Sequence, residues 1–308
     1  MLTSLDHIII GVHNLAEATH TFEHALGLVP SGGGIHPMGG TANRIIVIGD
    51  TYLELIVIDR PEEAHESIRQ RLAQGEGYLN FVLASDNLVA DSQAIKQRGV
   101  ALMGPTPGEL RSADGRVRGW MSTHIERPIL AQHYPFIIQH DSVGQERRQR
   151  LAGWSTPPAH PLGVTKVLSV TLAVENLAEA SQRFAHIYGL QPSEPFSAAS
   201  QSGQAQMVSF PLGASGQAFE LAAPAPGTNG ASAAAALFAN MDSLRQHLGR
   251  FSESVCRMTL LVEDFAQARD YLDAQHVPFG YTEGTQPLLW LDPSYTCGAS
   301  IVLQQIAS

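Results

Sequence analysis

The chain has 308 residues, 44% of them apolar and 16% charged, and a formal net charge of −10. These values describe a globular protein with room for two domains of about 150 residues, each large enough for its own core. The acidic balance excludes a nucleic-acid partner, which needs a basic face, and disfavours an anionic membrane surface.

The N-terminus, MLTSLDHIIIGVHNL, has no basic region and only a three-residue isoleucine run. It is therefore not read as a signal peptide. Cys256 and Cys297 are the only cysteines. Two are too few for a disulfide framework and lack zinc-type spacing, so they are expected to be small buried residues of a reducing cytosol. The expected location is cytoplasmic.

In chain order, Leu5–Val12 is predicted as a strand and Asn14–Ser31 as a capped amphipathic helix. Leu15, Ala18, Phe22 and Ala25 fall on one helical face, Asn14 caps the start, and Gly27 with Pro30 stops the end. A Gly-rich segment, Ser31–Asn43, follows. It lacks the Gly-Lys-Ser/Thr of a phosphate loop and precedes a strand, so it is read as a flexible hairpin or lid. Arg44–Ile48 and Tyr52–Ile58 are predicted strands around the Gly49–Asp50 turn. A polar helix at 61–74 leads to a second unit: strand Tyr78–Ala84, helix Leu88–Gln97, a short strand Val100–Met103, a hairpin at Ala113–Gly115, and strands Val117–Thr123 and Tyr134–Gln139. Asp141–Gly163, with Arg147, Arg148 and Arg150 and then three prolines, is read as a linker.

The helix then returns. NLAEATHTFEHALGLVPS at 14–31 recurs as NLAEASQRFAHIYGLQPS at 176–193, with eleven of eighteen positions identical. Such a match is the signature of duplication. The third unit runs from Val164 to about Ala223, with a helical stretch Ser232–Leu248 after it. The fourth runs from Ser254: strand, helix Phe265–Gln275, strand Val277–Tyr281, then Pro287–Leu291 and Ser300–Gln304. Leu88, Ile95 and Val100 match Phe265, Leu272 and Val277 at a common offset. The order is thus A-B-A′-B′. One helix serves three or four strands, which speaks against a doubly wound parallel sheet.

LDHIIIGVHNL, IHPMGGTANRIIVIGDTYLELI and YPFIIQHD together resemble the glyoxalase-like branch of the vicinal oxygen chelate superfamily. The resemblance covers most of residues 5–141; over 164–305 it rests mainly on the repeat. It implies an α+β protein of four βαβββ modules paired into two tandem cup-shaped domains: 1–145 (modules 1–60 and 77–141), a linker 146–163, and 164–308 (modules 164–223 and 254–306). It also implies a divalent metal, Zn, Ni, Mn or Fe, held by His7 and Glu54 on the first and last strands of the first module. The corresponding positions of the second module are Asn80 and Gln139, weak dipoles where the superfamily often has ligands, so that His36, His124, His133 or His140 would have to complete a metal cage. In the second domain the positions fall on Ser169, Arg257, Glu220 and Gln304, and arginine cannot ligate a metal. The His, His, Glu triad of ring-cleaving dioxygenases is absent.

From the residues themselves, Glu54 is the most telling position. A carboxylate among Leu53, Leu55 and Ile56 must be paired, protonated or facing a cavity. Desolvation would raise its pKa, suiting a general base that removes a proton beside a carbonyl. His36, Asn43 and Arg44 are read as contacts for a substrate oxyanion or carboxylate, with Asn80 and Gln139 as further substrate contacts. The expectation is a lyase or isomerase acting on a small carbonyl or oxygen-rich compound in the first cup, with a structural second domain. The rival is a metal-free protein that only sequesters its ligand, and a homodimer is compatible with either. His20 and His24 are read as solvated, and Trp120, Trp154 and Trp290 as packing residues.

Overall fold

The computed structural model describes residues 1–112, 114–126, 134–200, 203–224, 244–282 and 287–305. The first half comprises β1 (Leu2–Gly11), α1 (Leu15–His20) continuing as a π-helical turn (Thr21–Ala25), β2 (Gly33–Ile35), β3 (Thr41–Ile48), β4 (Thr51–Ile58), α2 (Glu66–Ala73), β5 (Gly77–Ser85), α3 (Leu88–Gln97), β6 (Leu102–Arg111), β7 (Val117–Ile125), β8 (Phe136–His140) and α4 (Gly144–Ala152). The second half repeats the plan with β9 (Val164–Ala173), α5 (Leu177–Tyr188), β10 (Phe196–Ser200), β11 (Gly203–Leu212), β12 (Gln217–Pro224), α6 (Leu244–Phe251), β13 (Ser254–Val262), α7 (Phe265–Ala274), β14 (Phe279–Thr282), β15 (Leu288–Leu291) and β16 (Ile301–Gln305).

Each half forms one eight-stranded sheet, in the orders β2-β3-β4-β1-β5-β8-β7-β6 and β10-β11-β12-β9-β13-β16-β15-β14. In each, two antiparallel central strands carry a parallel partner on their outer side. These are two tandem, curled half-barrels built from four βαβββ modules, the α+β architecture expected. His133, the hairpin position Ala113 and residues 232–243 of the predicted helical stretch lie outside the described residues.

The duplicated caps form in both copies. Asn14 Oδ1 accepts from the N–H groups of Ala16 and Glu17, and Asn176 Oδ1 from that of Glu179. The copies differ in winding: α5 is one continuous α-helix, whereas α1 loosens into the π-helical turn at Thr21–Ala25. Gly27 ends that turn in the left-handed region, where a Cβ would lie 2.7 Å from the Tyr271 ring.

The module helices α1, α3, α5 and α7 cover one face of each sheet, and these covered faces share a core. Leu5, Ile8, Ile10, Phe22 and Phe81 pack in one cluster with Phe184, Phe210 and Phe219. The Phe81 and Phe219 rings are 5.8 Å apart across the boundary. Buried polar groups bridge it too: Gln217 donates to Thr51 Oγ1 (2.8 Å) and the Val167 carbonyl (2.9 Å) and accepts from Leu5 N–H (3.1 Å).

The segment read as a linker is structured at both ends. Residues 144–152 form α4, which lays Leu151 and Ala152 against Ile45, Val47 and Tyr52 on the uncovered face of the first sheet. Further on, His160 accepts from Val29 N–H through Nδ1 and donates through Nε2 to the Val47 carbonyl. Of the polar residues at 146–150, Glu146 and Gln149 are exposed and Arg148 and Arg150 half-buried, whereas Arg147 is buried. The Gly-rich segment is likewise no free lid, because it contributes β2. Cβ atoms at Gly32 and Gly33 would come within 2.3 Å of the Leu151 carbonyl and 2.4 Å of the Asn43 carbonyl. Its glycines serve close backbone approach.

Candidate active site

The uncovered face of the first sheet carries the chemistry. In β1 a register shift between Leu5 and His7 interrupts the alternation of side chains. Leu5 and Ile8 stay in the helix-side core, and the consecutive residues Asp6 and His7 both turn into the cup.

His7 is 4% exposed and Glu54 5% exposed. His7 Nδ1 lies 2.7 Å from Asp6 Oδ1, and its ring stacks on Tyr52 at 4.6 Å. The Asp6 bond fixes one ring nitrogen and leaves Nε2 facing Glu54 Oε2 at 3.4 Å. The other carboxylate oxygen faces His36 Nε2 at 3.5 Å and accepts a hydrogen bond from the Asn43 side-chain amide. Asn43 Oδ1 in turn accepts from Gly34 N–H at 2.9 Å, and His36 Nδ1 meets Thr41 Oγ1 at 2.8 Å. One carboxylate thus sits between two imidazoles and an amide. The side chain of His36 is 20% exposed, so it is the open end of the cluster.

Behind His7, Asp6 anchors a second layer. It accepts from Arg147 Nη2 at 2.8 Å and lies 3.2 Å from His140 Nε2. Burial would raise the Asp6 pKa, but the charges of Arg147 and His140 outweigh it and hold the carboxyl well below the usual range. Burial pulls His140 down from its ordinary value despite Asp6. His124 stacks on Phe136 at 4.6 Å, and burial lowers its pKa as well.

The sequence-based expectation of a raised Glu54 pKa is overturned. Burial does push it up, but the His36 contact, the charges of His7 and His36 and the Asn43 hydrogen bond bring it down to about 2. The error came from weighing desolvation without the partners that β2 and β3 bring. Three further readings are corrected. Arg44 is exposed and on the opposite face of β3 from Asn43, as adjacent strand residues must be. Asn80 uses both ends on the backbone, donating to the Tyr134 carbonyl and accepting from Phe81 N–H. Gln139 accepts from Leu88 N–H (2.8 Å) and donates to the Asp86 carbonyl (3.2 Å), so it caps α3. Accordingly, Gln139→Ala is expected to cost about 1 kcal/mol of stability and Arg44→Ala less than about 0.5 kcal/mol, measured by urea denaturation.

Sequence reasoning missed Asp6, Tyr52, Arg118 and Arg147. The signal for Asp6 was present, an acid beside a histidine inside an apolar strand. Arg118 is buried on β7, with its guanidinium 5.9 Å from the Tyr52 ring. Among the described residues its Nε and Nη1 have no hydrogen-bond partner.

The implied divalent metal does not fit these residues. Of the four superfamily positions, Asn80 and Gln139 are spent on backbone groups. The Asn43 amide points its hydrogens at Glu54 Oε1 and lies 3.4 Å from His36 Nε2, where a bridging cation would have to sit. Among the described residues no three His, Cys, Asp or Glu side chains gather as a ligand set. Adding Mn²⁺ or Ni²⁺ is therefore expected to leave the melting temperature unchanged. A rise of several degrees that disappears in Glu54→Gln would restore the metal reading.

No helix among the described residues is long and apolar enough to cross a membrane. No curated protein shows significant sequence similarity to the chain. Solved structures share its fold at low identity. A hypothetical protein from Staphylococcus aureus aligns over 99% of this chain and 100% of its own, with a TM-score of 0.66 and 13% identity. A mutant 4-hydroxymandelate synthase from Streptomyces coelicolor aligns over 99% and 92%, with a TM-score of 0.66 and 14% identity. A Mn(II)-bound glyoxalase from Novosphingobium aromaticivorans aligns over 99% and 82%, with a TM-score of 0.59 and 11% identity. The family model for the glyoxalase-like domain matches residues 5–188, more than half of the chain. With two βαβββ half-barrels in tandem, this chain belongs to the glyoxalase-like domain family of the vicinal oxygen chelate superfamily.

Proposed function

We propose that the first cup is the active site of a lyase or isomerase that removes a proton beside the carbonyl of a small anionic substrate. The observation that carries this reading is the buried row His36–Glu54–His7–Asp6, in which both oxygens of one carboxylate face imidazole nitrogens. A carboxylate held near pH 2 is a weak base, so the proton acceptor is an imidazole. His36, at the open end, takes the proton from carbon at Nδ1, the substrate displacing the Thr41 hydroxyl there while Nε2 stays toward Glu54, and the C–H electron pair forms the enolate whose charge rests on the carbonyl oxygen. Glu54 stabilises the imidazolium that forms and orients the ring. His7, pinned by Asp6, holds the other side of the carboxylate. Arg118, buried with unpaired N–H groups, replaces Arg44 as the anchor for a substrate carboxylate, since a guanidinium presents paired donors to that group.

The test is solvent isotope exchange. Wild-type protein in D₂O with a panel of 2-oxo acids and 2-hydroxy ketones should incorporate deuterium beside the carbonyl of at least one, followed by proton NMR. Saturable binding of panel compounds without any exchange would favour the sequestering protein instead.

A further inference from the structure

We infer that the substrate of the first cup carries a bulky apolar group, branched or aryl, on the carbon that loses its proton, and that this group lies on an apolar patch beside the acid–base row. The assignment rests on the acid–base reading above for the place of the reacting carbon. It names the class as a 2-oxo acid with a hydrophobic side chain, in preference to pyruvate or a dicarboxylate. Strand register brings the patch to the row. Ile9 and Ile56 stand two residues beyond His7 and Glu54 on the parallel strands β1 and β4, so they share the face of those side chains about 7 Å further along. His36 belongs to the same end of the sheet, because its N–H donates to the Thr41 carbonyl and Thr41 pairs with Ile58. Across the sheet, His7 pairs with Val82 and Val82 with Phe136, which sets these three in one row.

These positions form an apolar surface separate from the helix-side core. Ile9, Ile56, Val82 and Ile138 pack in one buried cluster, and Leu79 and Phe136 stand half-buried against it. A buried floor with half-buried walls is the profile of a concave apolar patch that a ligand can reach. The patch is continuous with the acid–base row, since the Phe136 ring meets His7 edge-on at 5.9 Å. His124 stacks on the Phe136 ring at 4.6 Å, and burial keeps its pKa below the ordinary value, so the stacked pair is uncharged at neutral pH. The group attached to the carbon that meets His36 therefore has imidazoles on one side and hydrocarbon on the other. A charged side group would lose its hydration against this surface without a compensating partner, whereas every methylene it buries is favourable.

The second cup is built differently. Its hollow, about 530 Å³, is lined by Arg71, Arg250 and Arg257. Glu220 holds the register position of Glu54, but it accepts from Thr171 Oγ1 at 2.7 Å and lies 3.4 Å from the Arg257 guanidinium. Thr171 stands where the first cup has Ile9, and Ala222 where it has Ile56. The aliphatic floor beside the carboxylate is thus particular to the first cup.

The experiment titrates the full-length protein by isothermal calorimetry with four 2-oxo acids: pyruvate, 2-oxoglutarate, 4-methyl-2-oxopentanoate and phenylpyruvate. Deuterium exchange above the protein-free rate is followed for the same four. The two apolar acids should bind saturably and at least tenfold more tightly than pyruvate and 2-oxoglutarate, and kcat/KM for exchange should follow the same order. 2-Oxoglutarate separates apolarity from chain length. These readings use the wild-type chain, so they do not depend on a variant folding. Phe136→Ala should shrink the preference for phenylpyruvate over pyruvate at least fivefold, and Phe136→Leu should restore part of it. Apolar preference in binding without exchange in any of the four would uphold this assignment and remove the acid–base reading. Equal affinity for all four, tighter binding of 2-oxoglutarate, no saturable binding of either apolar acid, or an unchanged preference in folded Phe136→Ala would overturn the assignment. Exchange of pyruvate as fast as phenylpyruvate would overturn it too, while leaving the acid–base reading in place.

Discussion

Asp6→Asn should lower the unfolding free energy by about 3–5 kcal/mol, the usual cost of leaving one member of a buried ion pair uncompensated. In thermal denaturation the loss would appear as a fall on the order of 10 °C. The reason is topological. Asp6 faces Arg147, His140 and His7 together, so its removal strands a guanidinium from α4 beneath the sheet. Asp6→Asn combined with Arg147→Met should recover much of the loss, because no uncompensated charge is then left inside. If the double variant is as unstable as the sum of the two single variants, the pair is not coupled and α4 is held by its apolar residues alone.

Glu54→Gln should have the largest effect on chemistry, a drop of about 10²–10⁴-fold in deuterium exchange, the range for a disrupted acid–base device. The same variant should change the pH dependence of folding in a defined direction. The folded pKa of Glu54 lies near 2, below its ordinary 4.5. Unfolded chains therefore bind this proton first as the pH falls. The stabilisation is fully present above about pH 4.5 and is lost as the pH drops toward 2, amounting to about 3 kcal/mol. Urea titrations at pH 7, 4 and 3 should show a steeper acid loss in wild type than in Glu54→Gln. A milder loss, common to both proteins, should set in below pH 6.5. There burial keeps His124, His140 and His160 neutral in the fold while the unfolded chain takes up protons. Parallel acid limbs would show that the carboxylate is not held by His7 and His36.

The architecture was legible because it was written twice. The repeated Asn caps, the glycine stops and the apolar faces of α1 and α5 are local signals, and each formed where its chemistry predicted. The site was legible only in part, for reasons of geometry. His7, Glu54, His36 and Asn43 converge because β1, β3 and β4 are neighbours and the cluster residues share one face. Arg44 failed by strict alternation, a constraint available from its position next to Asn43. Asn80 and Gln139 failed because an aligned strand position says nothing about which backbone group claims the side chain. Asp6 entered the cup through a register shift between β1 and β5, which exists only once both strands are paired. Arg147 was hidden because a charged helix that packs on one edge has the composition of a linker. Arg118 and the second cavity depend on contacts between segments far apart in the chain, which no local pattern encodes.

The buried Gln217 bridge has a historical consequence. A half-barrel cut free at this seam would expose Phe81 or Phe219 and leave the amide of Leu5 without its acceptor. An ancestor with one cup would have needed a twin pressed against that surface, an isologous dimer of identical pockets. Fusing the twins into one polypeptide removed the requirement that both pockets stay alike. One hollow was then able to keep its imidazoles while the other filled with guanidinium groups, without either change being imposed on its neighbour.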